Sequence, residues 1–436
     1  MLTSDTAVDG AMPARSWSGR VDLRRWLGRG ALAAVDQALI SGSNFAVNIL
    51  LARWLGARQY GLYALAYSVF LFLTGFHSSL LVEPMSVFGP ARFRAAIPQY
   101  VRRLVAFHWL AAAVLGAGGV VVVMVVVRPA PTELVWAMLP VFALVPLFWM
   151  LRRAAYLQAD PSVGPLAALI YNVVSFASLG VLRSAGMLGL GTAFLTQSLG
   201  ALAASVYLMR RLRPVEDAGG VDLTRATLVR THWDYGQWAC ATNVVYWLAG
   251  EAYVALIGVF LSVEDIGSLR AMQNLTAPFP QLVTALTMLL LPQASAAFTD
   301  SGVRGLQRVV GRAGALVATG AVGYFLFLLV AGDRVRVLLY GDKYAGAAHL
   351  LPYIAGAAAL TAVAQALLLG LRGMQAASTV FRAYVVAAVV TVVAGAALTR
   401  TFGLAGAVSG VVLTSLALVA SLGWQYARRV SEAHAG

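Results

Sequence analysis

Long apolar stretches separated by short polar segments make up almost the whole chain. A helix that crosses about 30 Å of hydrocarbon needs about 20 apolar residues. Twelve stretches are of about that length: residues 31–52, 59–82, 101–127, 133–151, 163–182, 186–209, 235–261, 268–298, 309–331, 347–371, 379–399 and 402–427. They are continuous runs rather than alternating ten-residue segments, so they predict helices and not barrel strands. The pattern therefore predicts an all-α polytopic membrane protein of about 12 transmembrane helices.

The eighth stretch, residues 268–298, is longer than one crossing requires. Proline lacks a backbone N–H and clashes with the preceding turn, so Pro278, Pro280 and Pro292 are expected to tilt or break this helix.

The composition agrees with the hydropathy pattern. The chain is 60% apolar and 11% charged, with a mean hydropathy of +0.77, whereas about a quarter of the residues of a soluble domain are charged. A soluble chain of 436 residues would form two or three domains, and these charged residues are too few to cover their surfaces. We therefore expect no soluble domain large enough to carry the function.

Basic residues predict the orientation, because Lys and Arg accumulate in cytoplasmic loops. Of the 32 Lys and Arg residues, 23 lie in segments on the side of the N-terminus. This bias predicts a multi-pass protein of the bacterial inner membrane with both termini in the cytoplasm. The net charge of +14 is explained by topology and by contact with anionic lipid headgroups. We expect no nucleic-acid partner, since no soluble basic face with aromatic residues is present.

The polar segments divide the chain into five parts. Residues 1–30 are expected to form a basic cytoplasmic arm, and residues 31–209 an N-terminal six-helix bundle. Residues 210–234 are the longest polar connection and are expected to be a cytoplasmic linker. A C-terminal bundle, 235–427, and a cytoplasmic tail, 428–436, follow. A single cysteine, Cys240, excludes disulfides and multi-cysteine metal sites, and no cofactor or metal site is expected.

The two halves resemble each other at two constant offsets. An offset of 206 residues aligns Leu55 with Leu261, Gly61 with Gly267 and Arg102 with Arg308. An offset of 217 residues aligns Gln158 with Gln375, Gly186 with Gly403, Gly189 with Gly406 and Ser198 with Ser415. The change in offset predicts an 11-residue insertion in the second half, in the outside loop Gly332–Gly346. Six helices per repeat give two bundles of the same orientation around a central cavity.

Two segments carry a resemblance to a known family. The run from Gly42 to Tyr67, GSNFAVNILLARWLGARQYGLYALAY, resembles the first helix, loop and second helix of polysaccharide flippases. The run from Leu339 to Ala348, LYGDKYAGAA, resembles the loop before the tenth helix in the same group. Multidrug extruders and lipid II flippases belong to the same superfamily.

The resemblance implies an alternating-access flippase and not an enzyme. Such a protein moves a lipid-linked saccharide across the inner membrane for lipopolysaccharide or exopolysaccharide biosynthesis. The sugar head passes through the cavity while the polyprenyl tail stays in lipid. Membrane lipid, the lipid-linked saccharide and polysaccharide-assembly proteins are the expected partners.

Glu251, near the middle of the seventh stretch, is the sharpest polar signal. A carboxylate at bilayer depth costs about 2.5–3.5 kcal/mol and usually faces a cavity or a partner. A substrate-path or proton-linked role is one interpretation, and a hydrogen-bonded carboxyl that joins helices is the other.

The remaining candidates for the substrate path are polar residues on or near four of the helices. Amides and a hydroxyl could bind sugar hydroxyls or join helices equally well: Asn44, Asn48, Asn243, Tyr246, Gln273 and Asn274. His77 and His108 are more typical of packing residues than of functional ones. Glu83 is more typical of a local cap or gate near the cytoplasmic face than of substrate binding. Arg53 and Arg270 are expected toward the outer mouth, with no arginine deep within any span.

Three other functions remain open. A multidrug extruder has the same architecture but favours acidic residues in its cavity, and Glu251 supports it. A membrane enzyme of polysaccharide assembly typically has a large outside loop with catalytic Arg or His, whereas the longest outside loop here has about fifteen residues. A scaffold without transport activity is the third.

Overall fold

The structure is a computed structural model that describes residues 23–126, 131–157, 162–211 and 222–435. These residues are almost entirely helical, and no strand occurs among them. The α-helices are α1 (Leu23–Trp54), α2 (Ala57–His77), α3 (Glu83–Ala91), α4 (Ile97–Val126), α5 (Thr132–Leu157), α6 (Val163–Ser184), α7 (Leu190–Arg211), α8 (Arg225–Gly250), α9 (Ala252–Phe260), α10 (Val263–Thr276), α11 (Pro278–Tyr340), α12 (Leu351–Gly373), α13 (Ala377–Val390) and α14 (Ala396–Ala435).

Eight helical segments among the described residues are long and apolar enough to cross a membrane, or nine when α8 and α9 count as one bent span. Two of these segments change direction at a glycine with positive φ: Gly302 within α11 and Gly403 within α14. When each side of these kinks is counted, and α1 is added, the described chain contains the twelve helical segments that the hydropathy pattern predicts. The multi-pass, all-α prediction is confirmed.

Several helices extend beyond the predicted limits. The helix α1 includes residues 23–30 of the predicted arm, and residues 1–22 lie outside the described residues. The helix α8 starts at Arg225, so residues 225–234 of the predicted linker are helical, while 212–221 are not described. The predicted tail is helical to Ala435. Hydropathy detects only the part of a helix that lies in lipid, whereas helices continue into water, as α8 does after its N-cap Thr224.

The second predicted stretch also continues past its predicted end. A π-helical turn, Ser78–Val82, joins α2 directly to α3, which ends at Ala91. Pro84 follows this turn directly and lacks the N–H that would continue the helical bonding, and the Leu80 carbonyl four residues before it accepts from His232 Nδ1 instead.

The eighth stretch breaks at the first of its three predicted prolines. The helix α10 ends at Thr276 and α11 begins at Pro278, whereas Pro280 and Pro292 lie within α11 without interrupting it. The stretch also begins earlier than predicted, at Val263, because Ser262 and Asp265 form a capping box at the start of α10.

Two of the predicted repeat pairs have matching structural roles. Gly61 on α2 and Gly267 on α10 meet: a Cβ on Gly267 would lie 3.5 Å from the Gly61 Cα and 2.7 Å from the Ala57 oxygen. Gly186 and Gly403 both adopt positive φ, 69° and 63°, at the turns after their helices. A duplicated six-helix unit is expected to show both features: equivalent residues that meet at the two-fold axis, as the first pair does, and equivalent residues that form the same turn, as the second pair does.

The predicted outside loop Gly332–Gly346 is shorter than expected. The helix α11 continues to Tyr340, and a 3₁₀-helix, Ala345–Leu350, leads into α12. The extra residues therefore extend a helix by about two turns, since one turn takes 3.6 residues.

The apolar core is distributed unevenly. One large cluster includes Phe70, Phe142 and Phe194 of α2, α5 and α7, and it continues into the C-terminal helices through Tyr253 and Tyr340. The remaining C-terminal helices pack in three smaller clusters, around α11, α12, α13 and α14. The helices α1–α7 form the N-terminal half and α8–α14 the C-terminal half; the seam between them is where the predicted site residues are found.

Candidate functional site

Glu251 interrupts the helix in which it was predicted. It lies between α8 and α9, which are bent by 57° relative to each other. The Arg270 Nη2 donates a hydrogen bond to Glu251 Oε2, and Arg270 Nη1 donates to Gln273 Oε1 at 3.1 Å. The Arg270 side chain is 20% exposed and the Glu251 side chain 34%. The pair joins the seventh and eighth spans at the bend.

The sequence pattern places no arginine deep within a span, but Arg270 lies further into its helix than this pattern predicts. Because α10 begins at Val263 rather than at the predicted residue 268, Arg270 lies two turns into the helix instead of at its end. Its ion pair with Glu251 places the guanidinium at the level of the helix bend. A charged pair that is this well sheltered stays favourable only while both partners are present.

A chain of amides and one phenol crosses the seam beside the ion pair. The Asn274 Nδ2 on α10 donates to the Tyr60 hydroxyl on α2 at 2.8 Å. That hydroxyl donates to Asn48 Oδ1 on α1 at 3.4 Å, and Asn48 Nδ2 donates to the Asn44 carbonyl at 2.8 Å. Tyr60 is fully buried and was not among the predicted residues. An aromatic residue among apolar ones carries no pattern signal, so only the structure identifies it.

Six predicted residues from α1, the α8–α9 bend and α10 therefore lie in two hydrogen-bonded groups that both include residues of α10: Asn44, Asn48, Glu251, Arg270, Gln273 and Asn274. With Tyr60 they form the central polar cluster. It contains one cation, one anion, four amides and one hydroxyl, drawn from both halves.

Two predicted residues of α8 lie elsewhere along the seam. The Asn243 Nδ2 donates to the Phe72 carbonyl at 3.3 Å, and its amide fills the space beside Gly75. The Tyr246 ring lies 4.2 Å from the ring of Tyr384 on α13. Both contacts join α8 to a neighbouring helix.

His77 and His108 contact each other inside the N-terminal half. The His108 Nε2 donates to the Ala143 carbonyl at 2.9 Å, which leaves His108 Nδ1 to accept from His77 Nε2 at 2.9 Å. Both side chains are buried, at 3% and 0% exposure. The pair joins α2, α4 and α5, which agrees with the packing interpretation. Glu83 is exposed at the first position of α3.

The end of the seam at the α1–α2 and α11–α12 turns, predicted to face outward, is the outer end. Lys343 Nζ donates to the carbonyls of Ala52, Arg53 and Leu55 at 3.4, 2.6 and 2.7 Å. The Tyr344 hydroxyl also donates to the Ala52 carbonyl, at 3.2 Å. Lys343 thus caps the C-terminus of α1 with all three of its N–H groups.

Two more contacts strengthen the outer end. Arg53, predicted near the outer mouth, donates from Nη1 to the Leu338 carbonyl at 3.4 Å. Arg58 and Glu264 form an ion pair at 3.7 Å between exposed side chains. Each contact joins one half to the other.

At the opposite, inner end, the contacts between the two halves are made by side chains of α8. The Tyr100 hydroxyl donates to His232 Nε2 at 2.7 Å, and His232 Nδ1 donates to the Leu80 carbonyl at 2.7 Å. The Arg92 Nη1 donates to the Thr231 hydroxyl at 3.1 Å.

A second buried ion pair, within the N-terminal half, was missed. Asp36 Oδ2 on α1 accepts from the Tyr156 hydroxyl at 2.5 Å and lies 2.8 Å from Arg152 Nη1. The Asp36 side chain is 4% exposed. The signal was present, since Asp36 is the only acidic residue in the apolar stretch 31–52.

The chain is similar to proteins of polysaccharide biosynthesis. The family model described as "Polysaccharide biosynthesis protein" matches residues 167–349. The probable low-salt glycan biosynthesis flippase Agl15 of Haloferax volcanii is 21% identical over 272 residues, which are 61% of this chain and 56% of that protein. The chain thus spans just over half the length of this curated relative.

Solved structures share the fold. An inward-facing multidrug resistance MATE family transporter of the MOP superfamily superposes with a TM-score of 0.76 at 13% identity, covering 91% of this chain and 95% of that one. The lipid II flippase MurJ in an inward closed conformation has a TM-score of 0.68 at 10% identity, covering 91% and 87%. The chain is thus similar in sequence to proteins of polysaccharide biosynthesis, including a glycan flippase, and it shares the fold of a MATE family transporter and of the lipid II flippase MurJ.

Proposed function

We propose that the protein moves a lipid-linked saccharide across the bacterial inner membrane by alternating access. The halves on either side of residues 212–221 are the two moving bodies, and both termini are cytoplasmic. The observation that carries the proposal is the central polar cluster, in which one guanidinium, four amides and one phenol from both halves share the seam.

The cluster suits a large polar head attached to a diphosphate. Such a head cannot enter hydrocarbon unaided, because removing its hydration costs several kcal/mol per polar group. Amides and the Tyr60 hydroxyl both donate and accept, so they match the hydroxyls of a sugar. Arg270 supplies the planar, permanently charged donor that binds phosphate oxygens in pairs.

Glu251 has a specific role in this proposal. Without cargo, its carboxylate neutralises Arg270 and avoids an isolated charge at bilayer depth. An arriving diphosphate offers more acceptor oxygens and replaces the carboxylate on the guanidinium. Glu251 lies at the bend between α8 and α9, so releasing it also frees the bent span to change its angle.

The experiment compares variants of the pair in proteoliposomes loaded with a fluorescent polyprenyl-diphosphate oligosaccharide. Arg270→Gln removes the charge and leaves Glu251 without its partner, so we expect transport to fall at least about tenfold, since hydrogen bonds to charged groups contribute about 1.5–3 kcal/mol. Arg270→Lys keeps the charge but not the paired donors, so its transport rate is expected to lie between those of the wild type and Arg270→Gln. Arg183→Gln, at an exposed position of α6, is the matched control. Transport by Arg270→Gln at the rate of the control would contradict the proposal.

A multidrug extruder is the second candidate, and the Glu251 carboxylate is the observation that favours it. A cationic cargo would pair with Glu251 and displace Arg270, which reverses the expected effects. In that case, Arg270→Gln would increase ethidium export. Neither the wild type nor the variant would transport the saccharide. Measuring both cargoes on the same vesicles separates the two functions.

A further inference from the structure

Three arginines meet in a pocket at the inner end of α13 and α14, away from the central polar cluster. The pocket has a volume of about 120 Å³ and is lined by Thr379, Arg382, Trp424, Gln425, Arg428, Arg429 and Glu432. It brings the first turns of α13 beside the last turns of α14. We propose that this pocket binds the phosphate group of an anionic membrane phospholipid.

The pocket has more hydrogen-bond donors than acceptors. Among the described residues, the guanidiniums share three oxygens: Thr379 Oγ1 accepts from Arg382 and Arg429 at 3.3–3.4 Å, and the Glu432 carboxylate binds Arg428 at 2.7 Å and Arg429 at 3.6 Å. Each guanidinium carries five N–H groups. With three cations and one carboxylate, the lining carries a net charge of +2. This surplus favours a doubly accepting anion such as a phosphate diester.

The floor of the pocket is rigid. The Thr379 side chain that receives two of the arginines is 2% exposed, and Gln425 beside it is 6% exposed. Both belong to helices that pack through the apolar cluster of Val380, Ala383 and Leu422. Arginines that converge on a buried hydroxyl lose little freedom on binding, unlike arginines on a solvated helix face.

The position in the fold identifies a lipid as the source of the phosphate. Trp424 is 64% exposed and lies one turn before Arg428, whose guanidinium is 5.8 Å from the indole ring. An exposed Trp beside cations is typical of the level of the lipid headgroups. A phospholipid seated here would place its phosphate among the arginines and its acyl chains along the apolar surface of α14.

The test measures lipid binding to the purified full-length protein in neutral detergent by native mass spectrometry. We expect one tightly retained phosphatidylglycerol, with phosphatidylcholine bound much less. The double variant Arg382→Gln/Arg429→Gln should weaken this binding about thirtyfold, which corresponds to about 2 kcal/mol for two arginines near a membrane surface. Arg304→Gln/Arg308→Gln removes the same charge from exposed positions at the inner end and should leave binding unchanged.

Three results would overturn the proposal. Equal losses in the two double variants would mean that phosphatidylglycerol responds to net charge and not to the pocket. Displacement of the lipid by an equal concentration of inorganic phosphate would assign the pocket to a free anion. Unchanged binding in Arg382→Gln/Arg429→Gln would place the lipid elsewhere. Because Arg428 is 59% exposed, Arg428→Gln provides a milder second variant if the double variant does not fold.

Discussion

The two ends of the seam between the halves are closed in different ways. At the outer end, backbone meets backbone: Gly61 and Gly267 let α2 and α10 touch, and Lys343 binds three carbonyls of the α1–α2 turn. At the inner end, His232 and Thr231 of α8 contact the π-helical turn Ser78–Val82, Arg92 after α3, and Tyr100 of α4. The outer end is thus joined through several elements and the inner end mainly through one.

This difference bears on how the proposed transport cycle proceeds. The large apolar core continues across the outer end, whereas the smaller C-terminal clusters lie apart from it. Where backbones touch, no side chain can change its rotamer to keep the contact while the helices move. The contacts at the outer end should therefore break together when the two halves separate. The inner half of α8 can stay with the N-terminal half while α9 follows the C-terminal half, because the span is already bent at Glu251. Opening the outer end is therefore the more costly step.

The largest effect is expected from Gly61→Ala. A Cβ at this position would collide with the Val263 carbonyl, a backbone atom that cannot move independently of α10. Overpacking of this kind typically costs about 1–3 kcal/mol. We expect saccharide transport in proteoliposomes to fall more than about tenfold, with a lower thermal unfolding temperature.

Gly56→Ala is the matched control for this variant. It is the N-cap of the same helix, α2, but a Cβ there would meet nothing within 4 Å. Wild-type transport and stability in Gly61→Ala would contradict the close approach of α2 and α10 and, with it, the closed outer end.

A smaller effect is expected from Lys343→Met. The variant leaves three carbonyls at the C-terminus of α1 without their donor. Because Lys343 is exposed, water can replace part of these bonds, so the loss should be about 1–2 kcal/mol, the contribution of one or two net hydrogen bonds. The outer end should open more often. Labelling of an Asn48→Cys probe by a maleimide added from outside, in a Cys240→Ser background, should accelerate about five- to thirtyfold.

Arg334→Met removes a cation from an exposed position on the same segment and serves as the control. Lys343 is also the only lysine of the chain, so its own reaction with an amine reagent reports on the same contact in the wild type. Rapid acylation of Lys343, together with unchanged Asn48→Cys labelling in Lys343→Met, would contradict a closure of the outer end by Lys343.

The sequence predicted the parts of the fold that depend on local pattern. The helices and their number follow from the length of the continuous apolar runs, and the register that aligns Gly61 with Gly267 follows from a repeated motif. The polar residues of the seam were found because Glu251 and the amides stand out against apolar neighbours. Tyr60 was missed because a phenol between apolar residues is equally typical of a core.

Contacts between distant segments were not predictable in the same way. Arg270 was expected near the outer mouth because hydropathy placed the start of its helix five residues late, and the capping box at Ser262 decides where α10 begins. The Lys343 contact joins residues about 290 positions apart, and it depends on α11 extending to Tyr340. A helix end of this kind is set by packing and capping, which a hydropathy pattern does not record.

The smallest effect is expected at the inner end, from Tyr100→Phe. This variant removes one hydroxyl that donates to His232 and keeps the ring that stacks on Phe93 with a centroid distance of 4.3 Å. The loss should be about 1 kcal/mol, and transport should change less than about fivefold, because Thr231 and Leu80 still hold α8. Tyr353→Phe, an exposed tyrosine at 60%, is the control for loss of a hydroxyl. An effect on transport larger than that of Lys343→Met would reverse the comparison and make the inner end the costlier one to open.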